Sequence, residues 1–68
     1  MQFNEFDVVR LKNDCAIAGR GSVGTVLLCF FKPREAYEVE FYDEHNYPKG
    51  TCAVLASDLE LVHRGDRE

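Results

Sequence analysis

Basic residues are scarce in this chain. Its 68 residues hold eight Lys and Arg against twelve Asp and Glu, a formal charge of −4. Phosphate neutralisation dominates nucleic-acid affinity and needs a basic face, so the deficit argues against DNA or RNA as a partner. It argues more weakly against an anionic lipid surface. Long apolar runs are missing as well: no segment approaches the roughly 20 apolar residues of a membrane helix, so no membrane association is expected. Gln2 to Asp7 carries two acids and no basic stretch, so no secretory leader is expected and a cytoplasmic location is. The three cysteines, Cys15, Cys29 and Cys52, are odd in number and contain no CxxC pair. That spacing implies neither a disulfide framework nor a zinc knuckle, and reduced thiols are the expectation. His45 and His63 form no HxxxH pair, so no metal site and no cofactor are expected.

What remains is a chain sized for one domain. A domain this small buries only about 60% of the surface its unfolded chain exposes and is marginally stable alone. Such chains usually need a disulfide, a metal or a partner subunit. The apolar and charged fractions, 46% and 29%, are those of a globular protein rather than a disordered one.

The stretch from Gly19 to Phe41 organises the pattern. Gly19, Gly21 and Gly24 form a Gly-x-Gly-x-x-Gly spacing that superficially matches a dinucleotide fingerprint. That fingerprint must follow a strand and open a helix. Here it precedes Thr25 to Phe31, a β-branched and aromatic run suited to a strand, so the glycines are assigned to turn chemistry. In that strand Val26, Leu28 and Phe30 share one face and are assigned to the core. Leu27, Cys29 and Phe31 share the other, which leaves three apolar side chains facing out. After a Lys32-Pro33-Arg34-Glu35 turn, Tyr37, Val39 and Phe41 alternate with Glu38 and Glu40, the cleanest half-buried strand in the chain.

Around this hairpin lie Phe6 to Leu11, with Val9 and Leu11 inward, and Thr51 to Leu55, with Cys52 and Val54 inward. A single 3₁₀ turn is expected over Ala56 to Leu59, capped by Ser57 or Asp58, before a closing strand that anchors Leu59 and Leu61. The expected fold is all-β: a small five-stranded SH3-like barrel over residues 1–63, its closure hiding the strand edges, and a disordered charged tail over 64–68.

Catalysis needs a nucleophile beside a base, or paired acids. The cysteines have apolar neighbours, where a thiol is inert. Asp43-Glu44-His45 reads as a solvated acidic loop. Glu38 and Glu40 stand about 7 Å apart along one strand face, without a cleft, and serve solubility. No catalytic residue is assigned. The one candidate surface is Leu27, Cys29 and Phe31, with Glu38 and Glu40 as an acidic rim, since exposed apolar patches mark contacts; the alternative is that Met1-Gln2-Phe3 or the Cys15–Ala18 loop folds over these three side chains. The expected function is a non-enzymatic protein-interaction module, self-associating as a homodimer and open to a further protein partner. Phe31→Glu would then convert dimer to monomer. The alternatives are a KOW-like nucleic-acid-associated module, whose loops would have to be basic, and an enzyme with a site assembled between subunits.

With these residues in view, the chain resembles a family of small bacterial proteins catalogued as a domain of unknown function, number 4926. The resemblance is carried by Phe6-Asp7-Val8-Val9-Arg10-Leu11, Gly21-Ser22-Val23-Gly24-Thr25-Val26, Tyr37-Glu38-Val39-Glu40-Phe41 and Leu55-Ala56-Ser57-Asp58-Leu59. It implies a single SH3-like barrel and brings no activity, substrate or cofactor. It also implies mobile or stress-linked gene contexts, including toxin–antitoxin neighbourhoods and integron cassettes. The Val23-Gly24-Thr25-Val26 turn is similar to that of KOW modules and of the small stromal subunit of photosystem I, a likeness of fold that transfers no function. Plasmid-type dihydrofolate reductase is a barrel of this size with a Val-Gln-Ile-Tyr stretch. Here the comparable strand reads Thr51-Cys52-Ala53-Val54-Leu55, so that activity is not carried over.

Overall fold

The alternation of Tyr37, Val39 and Phe41 with Glu38 and Glu40 gives the sheet one of its interior strands. In the computed structural model, which describes residues 2–65, this strand is β3, Ala36–Tyr42, and its three apolar side chains are fully buried. Around it lie β1 (Val8–Leu11), β2 (Val23–Phe30), β4 (Pro48–Leu55) and β5 (Leu59–His63), with one 3₁₀ turn at Ala56–Asp58 between the last two. All pairings are antiparallel and the order across the sheet is β4-β3-β2-β1-β5. The fold is therefore all-β, with five strands and almost no helix, consistent with the SH3-like layout.

Closure differs from the expectation. Among the described residues β4 and β5 do not pair, so the sheet stays open and each keeps a free edge. Pro48, which cannot donate to a ladder, begins one of these edge strands, where proline is tolerated.

The core lies on one face of the sheet. Val9 and Leu11 of β1, Val26 of β2, the three β3 residues, Val54 and Leu59 are buried in it. Leu61, expected inside, pairs with buried Val9 but is 39% exposed, since it lies on the edge strand β5, where no further strand covers it. Phe3 caps the core from the N-terminal arm, its ring edge-on to Tyr37 at a centroid distance of 5.3 Å. Ala18 of the β1–β2 loop is buried in this core, and Cys15 and Ile17 of the same loop pack against it. The 3₁₀ turn has no side-chain cap; the Asp58 carboxylate instead accepts from Asn13 Nδ2 at 2.9 Å, and its carbonyl accepts from Lys12 N at 2.8 Å. Arg64 and Gly65, assigned to the charged tail, are held at Asp7, and residues 66–68 lie outside the described residues.

The glycines do conformational work. A Cβ on Gly24 would sit 2.6 Å from the Glu40 carbonyl oxygen, so only glycine lets β2 approach β3 this closely. Gly21, with φ of +91°, makes the turn into β2. A strand follows, where a phosphate loop would need a helix.

Candidate interaction surface

The outer surface of β2 and β3 is set by one extra residue. From Gly24↔Phe41 through Val26↔Val39 the two strands pair in one register. From Leu28↔Glu38 through Phe30↔Ala36 they pair in the next, leaving Leu27 without an opposite residue. This is a β-bulge, and because side chains alternate with a period of two, it exchanges the faces of everything beyond it. Val26 is buried against Val39, as the alternation requires. After the bulge Cys29, opposite buried Tyr37, turns to the core, while Leu28, opposite Glu38, and Phe30, opposite Ala36, turn outward.

The assignment of Val26, Leu28 and Phe30 to one inward face is thus corrected: only Val26 is buried, and Leu28 and Phe30 are 52% and 40% exposed. Of the candidate residues, Cys29 packs against the core, and its thiol donates to the Phe3 carbonyl at 3.9 Å. Burial pushes that thiol's pKa up, and the Glu5, Asp7 and Glu35 carboxylates add to the shift. Leu27 is half-buried at the bulge, and Phe31 is 61% exposed just past the end of β2. Glu38 and Glu40 are half-buried on the outer side of β3, and Glu40 accepts from the Tyr42 hydroxyl at 2.9 Å.

The outward apolar side chains that sequence reasoning placed inside are therefore Leu28 and Phe30. Cross-strand register extends them into two rows, Leu28–Glu38–Ala53 and Phe30–Ala36–Leu55. Glu38 is the one charged member of those rows. The next row, Thr25–Glu40–Thr51, is polar and closes the patch on that side. At the other end the β2–β3 turn carries Lys32 and Arg34, which have no ion-pair partner among the described residues.

Elsewhere the polar groups serve the fold. Asp43 Oδ1 accepts from the backbone N–H of His45 and Tyr47 at 2.8 and 2.9 Å, which shapes the β3–β4 turn. His45 lies 3.6 Å from Glu44 in an exposed pair. Glu35 accepts from the Tyr37 hydroxyl and from Gln2 N. No group of three His, Cys, Asp or Glu side chains able to hold a metal, and no pocket, is found among the described residues. No described helix is long and apolar enough to cross a membrane.

The model of one family, described as a domain of unknown function (DUF4926), matches residues 5–60. The match spans all four segments that carry the resemblance, and the chain belongs to this family. No curated protein and no solved structure matches the chain.

Proposed function

We propose that this member of the DUF4926 family is a non-enzymatic protein-interaction module that associates with a second copy of itself through the outer face of β2 and β3. The observation carrying this reading is the bulge at Leu27, which turns Leu28 and Phe30 to solvent beside Ala36, Ala53 and Leu55. An apolar sheet face of this kind on so small a domain is a contact surface in search of cover.

The charges around the patch favour a second copy as its occupant. Lys32 and Arg34 sit at the turn end, and Glu38 and Glu40 lie toward the opposite end. A two-fold axis running across the strands would set each copy's turn over the other's carboxylates, with the apolar rows facing each other between them. The patch is self-complementary in this sense, as an isologous interface must be.

Sedimentation velocity across a concentration series tests it. The expected result is a concentration-dependent dimer for the wild type and a monomer for the double variant Leu28→Glu/Phe30→Glu. Lys32→Glu/Arg34→Glu should weaken the dimer, and adding Glu38→Lys/Glu40→Lys should restore it. A wild type that stays monomeric at millimolar concentration overturns the proposal.

A further inference from the structure

The loop between β1 and β2 runs beside edge strand β4, and two contacts fix its alignment. Ile17 Cδ1 lies 3.7 Å from the position a Cβ on Gly50 would take. Two residues earlier on the loop and two later on β4, the same antiparallel alignment sets Cys15 opposite Cys52, near enough for the Cys15 side chain to raise the Cys52 pKa, while the Cys52 thiol donates to the Ala53 carbonyl at 3.8 Å. The loop is itself braced, Cys15 N donating to the Ala18 carbonyl at 2.8 Å, with Ala18 buried. Both cysteines pack against the core, and both are free thiols. Cys29 stands apart, engaged with the Phe3 carbonyl.

We propose that Cys15 and Cys52 form a redox modification site, closing reversibly into an intrachain disulfide that fastens the β1–β2 loop to strand β4. The oxidant is a low-molecular-weight disulfide, RSSR. The Cys15 thiolate attacks one sulfur of RSSR and expels RS⁻, giving a mixed disulfide on Cys15. The Cys52 thiolate then attacks the Cys15 sulfur and expels the second RS⁻. The two protein thiols lose two electrons and two protons, and RSSR becomes two RSH. Cys15 makes the first attack because it lies on the loop. Cys52 is the slower thiol: burial pushes its pKa up, and the neighbouring Cys15 adds to the shift. The closed bond would join the loop to an otherwise free sheet edge, a site that this open sheet offers and a closed barrel would not.

Oxidised glutathione is the probe. Trypsin cuts after Lys12, Arg20, Arg34, Lys49 and Arg64, which puts Cys15, Cys29 and Cys52 on separate peptides, 13–20, 21–34 and 50–64. The expected result for the wild type is the loss of two hydrogens per chain, a linked pair of peptides 13–20 and 50–64, and reversal by dithiothreitol. The oxidised chain should melt higher by roughly 10 °C, since the bond closes a long loop. Cys15→Ser and Cys52→Ser should each abolish the two-hydrogen loss, while Cys29→Ser keeps it. A linkage involving Cys29, crosslinks only between chains, mixed disulfides that never resolve, or a lower melting temperature on oxidation would each overturn the proposal. The wild-type peptide map decides the linkage even if a variant fails to fold.

Discussion

The Asp7 carboxylate accepts from the Arg64 guanidinium at 2.8 Å, an ion pair between residues 57 positions apart whose carboxylate side chain is 3% exposed and whose arginine side chain is 58% exposed. The same carboxylate accepts from the Gly65 N–H at 2.7 Å and the Asn4 N–H at 2.8 Å. One buried acid thus joins the turn before β1 to the segment after β5 and satisfies two backbone donors. Burial alone would push its pKa up, but the Gly65, Asn4 and Arg64 hydrogen bonds outweigh it and hold the pKa below the ordinary 3.8.

Acid stability follows from that shift. The folded chain binds the Asp7 proton more weakly than the unfolded chain, so the clasp contributes its full stabilisation above the ordinary value of 3.8 and loses it as pH falls through the lower folded value. Asp7→Asn should destabilise the protein at neutral pH by about 2–4 kcal/mol, because the buried position loses its charge-assisted hydrogen bonds. Urea unfolding at neutral pH and at about pH 3 should show a smaller acid-induced loss for the variant than for the wild type. Arg64→Ala should cost only about 1 kcal/mol, as the exposed guanidinium is screened by water.

Gly24 carries a packing demand that Gly21 does not. A methyl group at Gly24 would lie 2.6 Å from the Glu40 carbonyl oxygen and 2.7 Å from Val39 Cγ1, whereas at Gly21 it would meet nothing within 4 Å. Gly24→Ala should therefore cost about 1–3 kcal/mol by forcing β2 and β3 apart. Gly21→Ala should cost about 1–2 kcal/mol from its positive φ alone. In thermal unfolding the Gly24 variant should melt below the Gly21 variant, and the β2–β3 amides should lose hydrogen-exchange protection only in the former.

Tyr37 holds the N-terminal arm in place with its hydroxyl. That group accepts from Phe3 N at 3.2 Å and donates to Glu35. Tyr37→Phe keeps the ring contact with Phe3 but leaves a buried backbone N–H without its acceptor, a cost of about 1–3 kcal/mol. Hydrogen exchange should speed up at Phe3 well before it does at Val39 in the interior of the sheet.

The parts of this fold that were legible in the sequence are those where polarity alternates. Glu38 and Glu40 mark one face of β3, so the burial of Tyr37, Val39 and Phe41 could be read directly. Arg10 did the same for Val9 and Leu11. From Val26 to Phe31 every residue is apolar, so the sequence holds no phase there, and nothing marks the extra residue at Leu27 that reverses the faces. Asp7 with Arg64 and Cys15 with Cys52 were illegible for a different reason. Each contact joins residues far apart in the chain, and neither partner has a spacing that points to the other.

The bulge makes the sharpest prediction, because neighbouring residues should respond to the same substitution in opposite ways. Leu28 is 52% exposed opposite Glu38, so Leu28→Asp should fold with a stability within about 0.5 kcal/mol of the wild type while removing apolar contact surface. Cys29 faces Tyr37 and Phe3, with the carboxylates of Glu5, Asp7 and Glu35 close enough to disfavour a thiolate. A carboxylate at this position would be desolvated and would meet like charges, so Cys29→Asp should cost at least ~2 kcal/mol. Uninterrupted alternation from Val26 predicts the reverse order, with the Leu28 variant unfolding and the Cys29 variant tolerated. Denaturant midpoints of the two variants at neutral pH separate the two registers without any knowledge of a partner.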